Sequence, residues 1–196
     1  MNNEIREKLY GIVTQVYLNG ESELSKNKRM KLTHIQRVEQ MALSLADKVD
    51  VEVNKDILSY GAIMHDVAKF IDAPRHNELG AIITKFLLKD MFDSKTLDEI
   101  SSLIIMHNCK DKGRTDLSIE QQLLIDADIL DKLSPVKLVD IIRTATSEEL
   151  MLEEFSKIME KANERKECLC TDIGKKYFND LYHRINHSLD VYKKLQ

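Results

Sequence analysis

Two prolines and six glycines in 196 residues leave this chain few places where a helix must stop. Leu, Lys, Glu, Ile, Ala and Met dominate the remainder, and their intrinsic preferences sum toward an all-α fold. Apolar residues recur at the three-and-four spacing of one helix face. Ile5, Leu9, Ile12, Val13, Val16 and Tyr17 predict a first helix over residues 3–18. Asn19 to Lys31 is polar, carries the Lys26-Asn27-Lys28-Arg29 cluster, and reads as a surface loop. Thr33, with Gln36 in capping-box position, opens a helix to about Val49 with Ile35, Val38, Met41, Ala42 and Leu45 inward. Asn54 caps a third from Lys55 to about Phe70. Pro74 suits the first turn of a fourth, running through Ala81, Ile82, Phe86 and Leu87 to about Met91. A fifth spans about 94–108, with Leu97, Ile100, Leu103 and Ile104 inward, before a polar loop from Cys109 to Leu117. Ser118, with Gln121 three residues on, caps the next, and Pro135 opens a shorter one to about Ala145. Two more are expected near 147–166 and 171–194, for roughly eight to nine helices in one bundle.

At this length one well-buried core is expected and two are not. The net charge of −4 argues against a binder of duplex nucleic acid that relies on bulk charge. Three cysteines, Cys109, Cys168 and Cys170, are odd in number, which suits a reducing cytoplasm better than a disulfide framework. No apolar run approaches the roughly 18 residues of a membrane span, and the polar Met1-Asn2-Asn3-Glu4 start has no signal core behind it. A soluble cytoplasmic protein is expected.

Chemistry concentrates at Ile63-Met64-His65-Asp66-Val67-Ala68-Lys69-Phe70. An aspartate among apolar residues is costly unless a metal, a cation or hydrogen bonds relieve it. Residues that could complete its surroundings lie elsewhere: His34 in the second helix and Asp128 in the sixth. Asp128 follows Leu124 by four and belongs at the core-facing edge, while Asp126 and Asp131 are expected to be more easily solvated. Two imidazoles and two carboxylates from three helices make a mixed nitrogen and oxygen set. Such a set suits Mn, Fe, Co, Ni or Zn better than Ca.

The order of these residues resembles the HD superfamily of metal-dependent phosphohydrolases. The matching stretches are His34-Ile35-Gln36-Arg37-Val38, Ile63-Met64-His65-Asp66-Val67-Ala68-Lys69, His76-Asn77-Glu78-Leu79-Gly80-Ala81, Ile104-Ile105-Met106-His107 and Asp126-Ala127-Asp128-Ile129-Leu130. The resemblance implies an HD-type helical bundle, with a metal-binding core at about 30–135 and C-terminal helices at about 135–196 packed on it. It implies a divalent metal held by His34, His65, Asp66 and Asp128, with Mg also admitted. His76 and His107 match histidines that in some relatives bind a second metal, with Asp66 bridging, or the substrate's phosphate. Both readings stay open.

Hydrolysis of an anionic phosphate ester needs a cation on the phosphoryl oxygens and a water deprotonated at neutral pH, and a bound metal serves both. Asp66 and Lys69 are the expected catalytic residues, with Lys69, Arg37, His76, His107 and Arg114 toward substrate. Arg75 and Lys110 are further loop candidates. The Asp126-Ala127-Asp128 run and the Thr171-x-x-Gly174-Lys175-Lys176 stretch look like small bacterial HD hydrolases of nucleotides, including nucleoside triphosphate pyrophosphohydrolases. Ile129 stands where that branch usually has arginine, and Ser134-Pro135 where it has a glycine-alanine pair. The expected partner is therefore a small phosphorylated substrate, foremost a nucleotide, met by a monomer or homodimer without a membrane. Two alternatives are an HD-fold di-iron oxygenase using all six ligand-type residues and a non-catalytic metal- or nucleotide-binding module. Cys168-Leu169-Cys170 with His183 and His187 is the other group with chelating residue types, and a polar helix face is its plainer reading.

Overall fold

The structure, a computed structural model, describes residues 2–18, 26–108 and 116–194. Among these residues there are nine α-helices and no strand: α1 (Asn3–Leu18), α2 (Lys26–Ala46), α3 (Lys55–Met64), α4 (His76–Leu88), α5 (Ser94–Met106), α6 (Ile119–Asp131), α7 (Pro135–Thr144), α8 (Glu148–Arg165) and α9 (Asp172–Lys194). A single 3-10 turn, Lys166–Cys168, links the last two. The all-α expectation holds.

Most expected helix starts hold because their side chains close the first turn. Asn54, Asp93, Ser134 and Ser147 each accept from a backbone N–H three residues on. Ser118 and Gln121 form a complete capping box. The second helix departs from expectation. It begins at Lys26, so the basic run is its first turns and not a loop, at least from Lys26 onward; Asn19 to Ser25 lies outside the described residues. Thr33 sits mid-helix, with its hydroxyl donating to the Met30 carbonyl at 2.9 Å, the back-bonding open to such residues. Nothing between Lys26 and Thr33 breaks a helix, so α2 simply starts earlier.

The third helix is shorter than its apolar pattern suggests. It ends at Met64. Val67, Lys69 and Ile71 then donate their N–H groups to the carbonyls of Met64, Asp66 and Ala68, at 3.0, 2.9 and 2.9 Å. These three-residue closures wind the chain more tightly than an α-helix, and so they redirect Asp66 and Lys69. Pro74 likewise precedes α4 and does not form its first turn.

The core gathers on α3, which packs against α1, α2, α5 and α6, while α2 also packs on α6 and α4 on α5. Leu58, Ile63 and Met64 of α3 are fully buried with Ile35 and Leu45 of α2, Ile100 and Ile104 of α5 and Leu123 of α6. Each such side chain contributes about 1.5–3 kcal/mol relative to exposure. Gly61 allows α5 to approach: a Cβ there would fall 3.0 Å from the Leu103 Cβ and closer still to its methyl. That approach brings the ends of α3 and α5 together. Ile82, Phe86 and Leu150, part of the apolar pattern, lie instead on solvent faces.

The C-terminal helices join through α6. Asp126, expected to be solvated, is wholly buried. It accepts from the Cys170 and Thr171 N–H groups at 2.7 and 3.0 Å and from the Thr171 hydroxyl at 2.6 Å. Burial still raises its carboxyl above the ordinary range. Gly174 lies so close to this carboxylate that a Cβ would collide with it. The Thr171-x-x-Gly174 spacing thus serves to dock α9. The preference for free thiols over a disulfide fails at Cys168, which is disulfide-bonded; Cys170 is a free thiol. His183 and His187 are exposed on α9, as the plainer reading had it. No helix among the described residues is long and apolar enough to cross a membrane.

Candidate metal centre

Three of the candidate histidines come from helix ends, while His34 lies within α2 and Asp128 within α6. His65 follows the last residue of α3, His107 follows the last of α5, and His76 opens α4. Each uses the same local device. The Nδ1 atoms of His65, His76 and His107 lie 2.6, 2.7 and 2.6 Å from the carbonyls of Ala62, Ala73 and Ile104, three residues earlier. In the last turns of α3 and α5 such carbonyls lack helical partners, so an imidazole placed there is both anchored and oriented. His34 is anchored from a distance, with its Nδ1 at 2.7 Å from Asp131 Oδ2. A carbonyl or an ionised carboxylate can only accept, so each Nδ1 carries the proton and, in the neutral ring, each Nε2 is left with a lone pair.

Those four Nε2 atoms face one another around Asp66. His34 and His65 are 3.4 Å apart at Nε2, and His76 and His107 are 3.1 Å apart. With both partners protonated on Nδ1, neither contact can be a hydrogen bond. The rings meet edge to face, with centroids 5.3 Å apart for His34 and His65, 5.1 Å for His65 and His107 and 5.0 Å for His76 and His107. Asp66 Oδ2 lies 3.8 Å from His34 Nε2, and Oδ1 lies 3.9, 3.3 and 3.9 Å from the Nε2 atoms of His65, His76 and His107. Two groups compact enough to hold an ion result, His34 with His65 and Asp66, and Asp66 with His76 and His107.

The donor set fits a divalent transition metal. Inward lone pairs beside a carboxylate repel one another unless a cation lies among them. The C-terminal ends of α3 and α5 add partial negative charge at the same place. The protonation states agree. Burial lowers the pKa of His65 and of His76, and takes His107 down to about 4, so these three rings are neutral near pH 7. Burial pushes the Asp66 carboxyl upward, but at the acidic pH where it would titrate the charges of protonated His65, Lys31, Lys69 and protonated His34 outweigh burial and hold the group well below its ordinary value. Neutral imidazole and ionised carboxylate are the ligating forms.

Asp128 joins only in part. Its Oδ1 is 3.4 Å from His34 Nε2, but Lys132, one turn on, donates to its Oδ2 at 3.0 Å. It belongs to neither compact group. Asp131, expected to be solvated, is buried. It accepts from Arg37 Nε at 2.6 Å and Nη2 at 3.1 Å as well as from His34. Arg37 is therefore first a partner of Asp131. Arg75 pairs with Asp72 and is 74% exposed, away from this role. Arg114 and Lys110 lie outside the described residues.

Four neighbours escaped sequence reasoning. Lys31 reaches Asp66 Oδ2 at 3.0 Å; it shares a face with His34, three residues on, which is legible only once α2 is known to start early. Asp131 and Lys132 stand three and four residues after Asp128, the same face again. Tyr17 donates to the Asp66 carbonyl at 2.9 Å, tying α1 to the doublet.

Asp131 holds His34 as carboxylates hold metal-ligating histidines elsewhere. Asp131→Ala is expected to weaken metal binding by about 10- to 100-fold, measured by titration of the metal-free protein, with Asp131→Asn recovering part of the loss because its amide oxygen can still accept. Unchanged affinity in Asp131→Ala would remove this positioning role.

A family model described as HD domain matches residues 32–133, more than half of the chain. No curated protein matches the sequence. Two solved structures share the fold over nearly their whole lengths. One is described as a predicted HD superfamily hydrolase from an uncultured Thermotogales bacterium; it is 20% identical, covers 99% of this chain and 98% of its own, and superposes with a TM-score of 0.67. The other is YpgQ from Bacillus subtilis, 16% identical, covering 96% of this chain and 94% of its own, also with a TM-score of 0.67.

Proposed function

The chain belongs to the HD domain family, and we propose that it is a metal-dependent phosphohydrolase acting on a nucleotide or another small phosphorylated metabolite. One juxtaposition carries the reading: His34, one of the inward-facing histidines, opens onto a cavity whose lining carries four cationic side chains. The cavity measures about 450 Å³ and is lined by His34, Met30 and Phe70, by the cations Lys31, Arg37, Lys132 and Lys137, and by the carboxylates Asp131 and Asp140. That volume suits a small ligand, and four cations against two carboxylates leave a positive excess that suits an anionic one.

In this reading His34, His65 and Asp66 hold the metal, with Asp128 beside His34. When bound, a divalent ion there neutralises phosphoryl oxygens and lowers the pKa of water. The chain's own groups do the remaining work. Lys31 and Lys132 sit against Asp66 and Asp128, and each keeps part of its side chain in contact with solvent at the cavity. Their ammonium groups can turn to a phosphate without leaving the site. Arg37 keeps a third nitrogen, Nη1, buried and without a partner among the described residues. Phe70 is 45% exposed and held edge-on by Tyr17, with ring centroids 5.0 Å apart. It offers an aromatic face on which a nucleobase can stack, the feature that favours a nucleotide over a simpler phosphate. The same reading takes the protein to act as a monomer or homodimer, with no membrane or duplex nucleic acid as partner.

The test is elemental analysis of the purified protein, followed by a panel of nucleotides and small phosphate esters with Mn²⁺, Co²⁺, Ni²⁺, Mg²⁺ and Zn²⁺ in turn. Release of phosphate or pyrophosphate that needs the metal and stops with a chelator is the expected result. A di-iron oxygenase is the second reading, favoured by the sharing of Asp66 between two histidine-containing groups. Two retained irons and an oxygen-dependent oxidation, without phosphate release, would replace the hydrolase by it. A protein that holds no metal and hydrolyses nothing would be a binding module.

A further inference from the structure

Each carboxylate of the centre has two cationic side chains beside it. Lys31 lies 3.0 Å and Lys69 3.7 Å from Asp66. At Asp128, Lys132 lies 3.0 Å from Oδ2, and Nη1 of Arg165 lies 3.9 Å from the same oxygen. Three of these four belong to the segments that carry the histidines and aspartates. Arg165 does not: it is the last residue of α8, well beyond the stretch 32–133 that the family model matches. The resemblance to that family therefore assigns it no role.

The contact with Asp128 is not what holds Arg165 in place. At 3.9 Å it is longer than a hydrogen bond, and such a pair adds little stability when one side chain is 41% exposed. Asp128 is already served by Lys132, which donates to its carboxylate and its carbonyl, each at 3.0 Å. Other groups anchor α8. Ala162 and Met159, about one and two turns before Arg165, are buried in the core, and so is Leu169 just after it. Asp126 then pins Cys170 and Thr171 to α6. The backbone at residue 165 is thus fixed beside the centre while the guanidinium stays uncommitted. Arg6, Arg37 and Arg75 each donate to a carboxylate. Arg165 donates no hydrogen bond among the described residues, which leaves its N–H groups to solvent or to a ligand.

We propose that Arg165 binds the phosphate of the substrate, so that the C-terminal helices supply one of the side chains that recognise it. A guanidinium presents a planar fork of N–H groups that matches two oxygens of a phosphate. Asp128 turns Oδ1 to His34 Nε2 at 3.4 Å and Oδ2 to Arg165, so a single carboxylate separates the guanidinium from a metal-binding histidine. The inference rests on the phosphate-ligand part of the proposed function. Arg165 acts on binding and not on the bond that breaks.

The experiment titrates inorganic phosphate into the Mn²⁺-loaded protein by calorimetry, for wild type, Arg165→Ala, Arg165→Lys and Lys161→Ala. Loss of a charge-assisted hydrogen bond predicts phosphate affinity at least about 10-fold weaker in Arg165→Ala. Arg165→Lys should fall between, since an ammonium keeps the charge and not the fork. Lys161 is exposed about one turn earlier on α8, and removing it takes away the same net charge; Lys161→Ala should bind phosphate as wild type does. Bound Mn²⁺ and Tm, measured on the same samples, should not change in Arg165→Ala. Unchanged phosphate affinity in that variant, or an equal loss in Lys161→Ala, overturns the proposal. A loss that comes with loss of bound Mn²⁺ also overturns it, because Arg165 would then be a support of Asp128. Should Arg165→Ala not fold, Arg165→Gln, of similar length and without charge, decides by the same criteria. On any substrate found, Arg165→Ala should raise KM by a similar factor with kcat little changed. Hydrolysis with KM unchanged in Arg165→Ala removes Arg165 and leaves the hydrolase. Weaker phosphate binding in Arg165→Ala, in a protein that hydrolyses nothing, upholds Arg165 and removes the hydrolase. A wild type that neither binds phosphate nor hydrolyses an ester overturns both.

Discussion

Asp66→Ala is expected to give a folded protein that retains no stoichiometric metal and loses phosphate release by at least about 1000-fold, or ~4 kcal/mol of transition-state stabilisation. Both compact groups draw an oxygen from this one carboxylate, so its removal disarms both at once. Asp66 is also the negative charge on which Lys31 and Lys69 converge. Without it, two ammonium groups would face each other and any entering cation. The fold should survive because these lysines are about a third exposed, 33% and 29%, and can be solvated. His65→Ala is a milder lesion to the second group but should likewise empty the first, since His34 would remain with a single partner. Elemental analysis and a steady-state assay on the same samples check both variants. Folded, metal-loaded and active Asp66→Ala protein would sink the assignment of the centre.

How much of this was legible in the sequence depends on how local each cause is. Helix positions followed from apolar period and capping residues, both properties of a few neighbouring side chains. The His65-Asp66 doublet and its partners could be read from their order along the chain. What failed was burial of charge. Asp126 and Asp131 are buried because groups 44 to 97 residues away supply their hydrogen bonds, Cys170 and Thr171 for one, His34 and Arg37 for the other. No local pattern marks an aspartate that will find such partners. The end of α3 was hidden for a related reason. Val67 and Ala68 continue the apolar period, yet tighter closure there turns Asp66 and Lys69 to the histidines. Lys31 was lost with the misplaced start of α2, and with it half of the cationic surroundings of Asp66.

Glu39 is the other position where a single change is expected to cost the protein much of its stability, and the cost should depend on pH. It is 1% exposed and joins three helices. Arg6 of α1 donates to it from Nε and Nη2 at 2.6 and 2.9 Å, Tyr10 of α1 from its hydroxyl at 2.6 Å, and Ser59 of α3 through a short hydrogen bond. Burial raises its pKa, but Arg6, Ser59 and Tyr10 more than compensate and leave it below the ordinary value. Removing one partner of a buried ion pair costs about 3–5 kcal/mol. Arg6 is partly exposed, so the lower end applies to Glu39→Ala, and ~3 kcal/mol in a chain of this size lowers Tm by about 6–12 °C. The pH dependence follows from the direction of the shift. Between the folded pKa and the unfolded value near ~4.3, the unfolded state binds more protons, so stability rises with pH. The contribution of Glu39 is therefore complete above the unfolded value and is lost as pH falls through the lower folded one. Glu39→Gln keeps the shape and never ionises. The stability gap between wild type and Glu39→Gln should be full at neutral pH and narrow on acidification, which denaturant titrations at a series of pH values can follow. A gap that stays constant from neutral pH to below the unfolded carboxylate range would mean that the charge of Glu39 does not hold α1, α2 and α3 together.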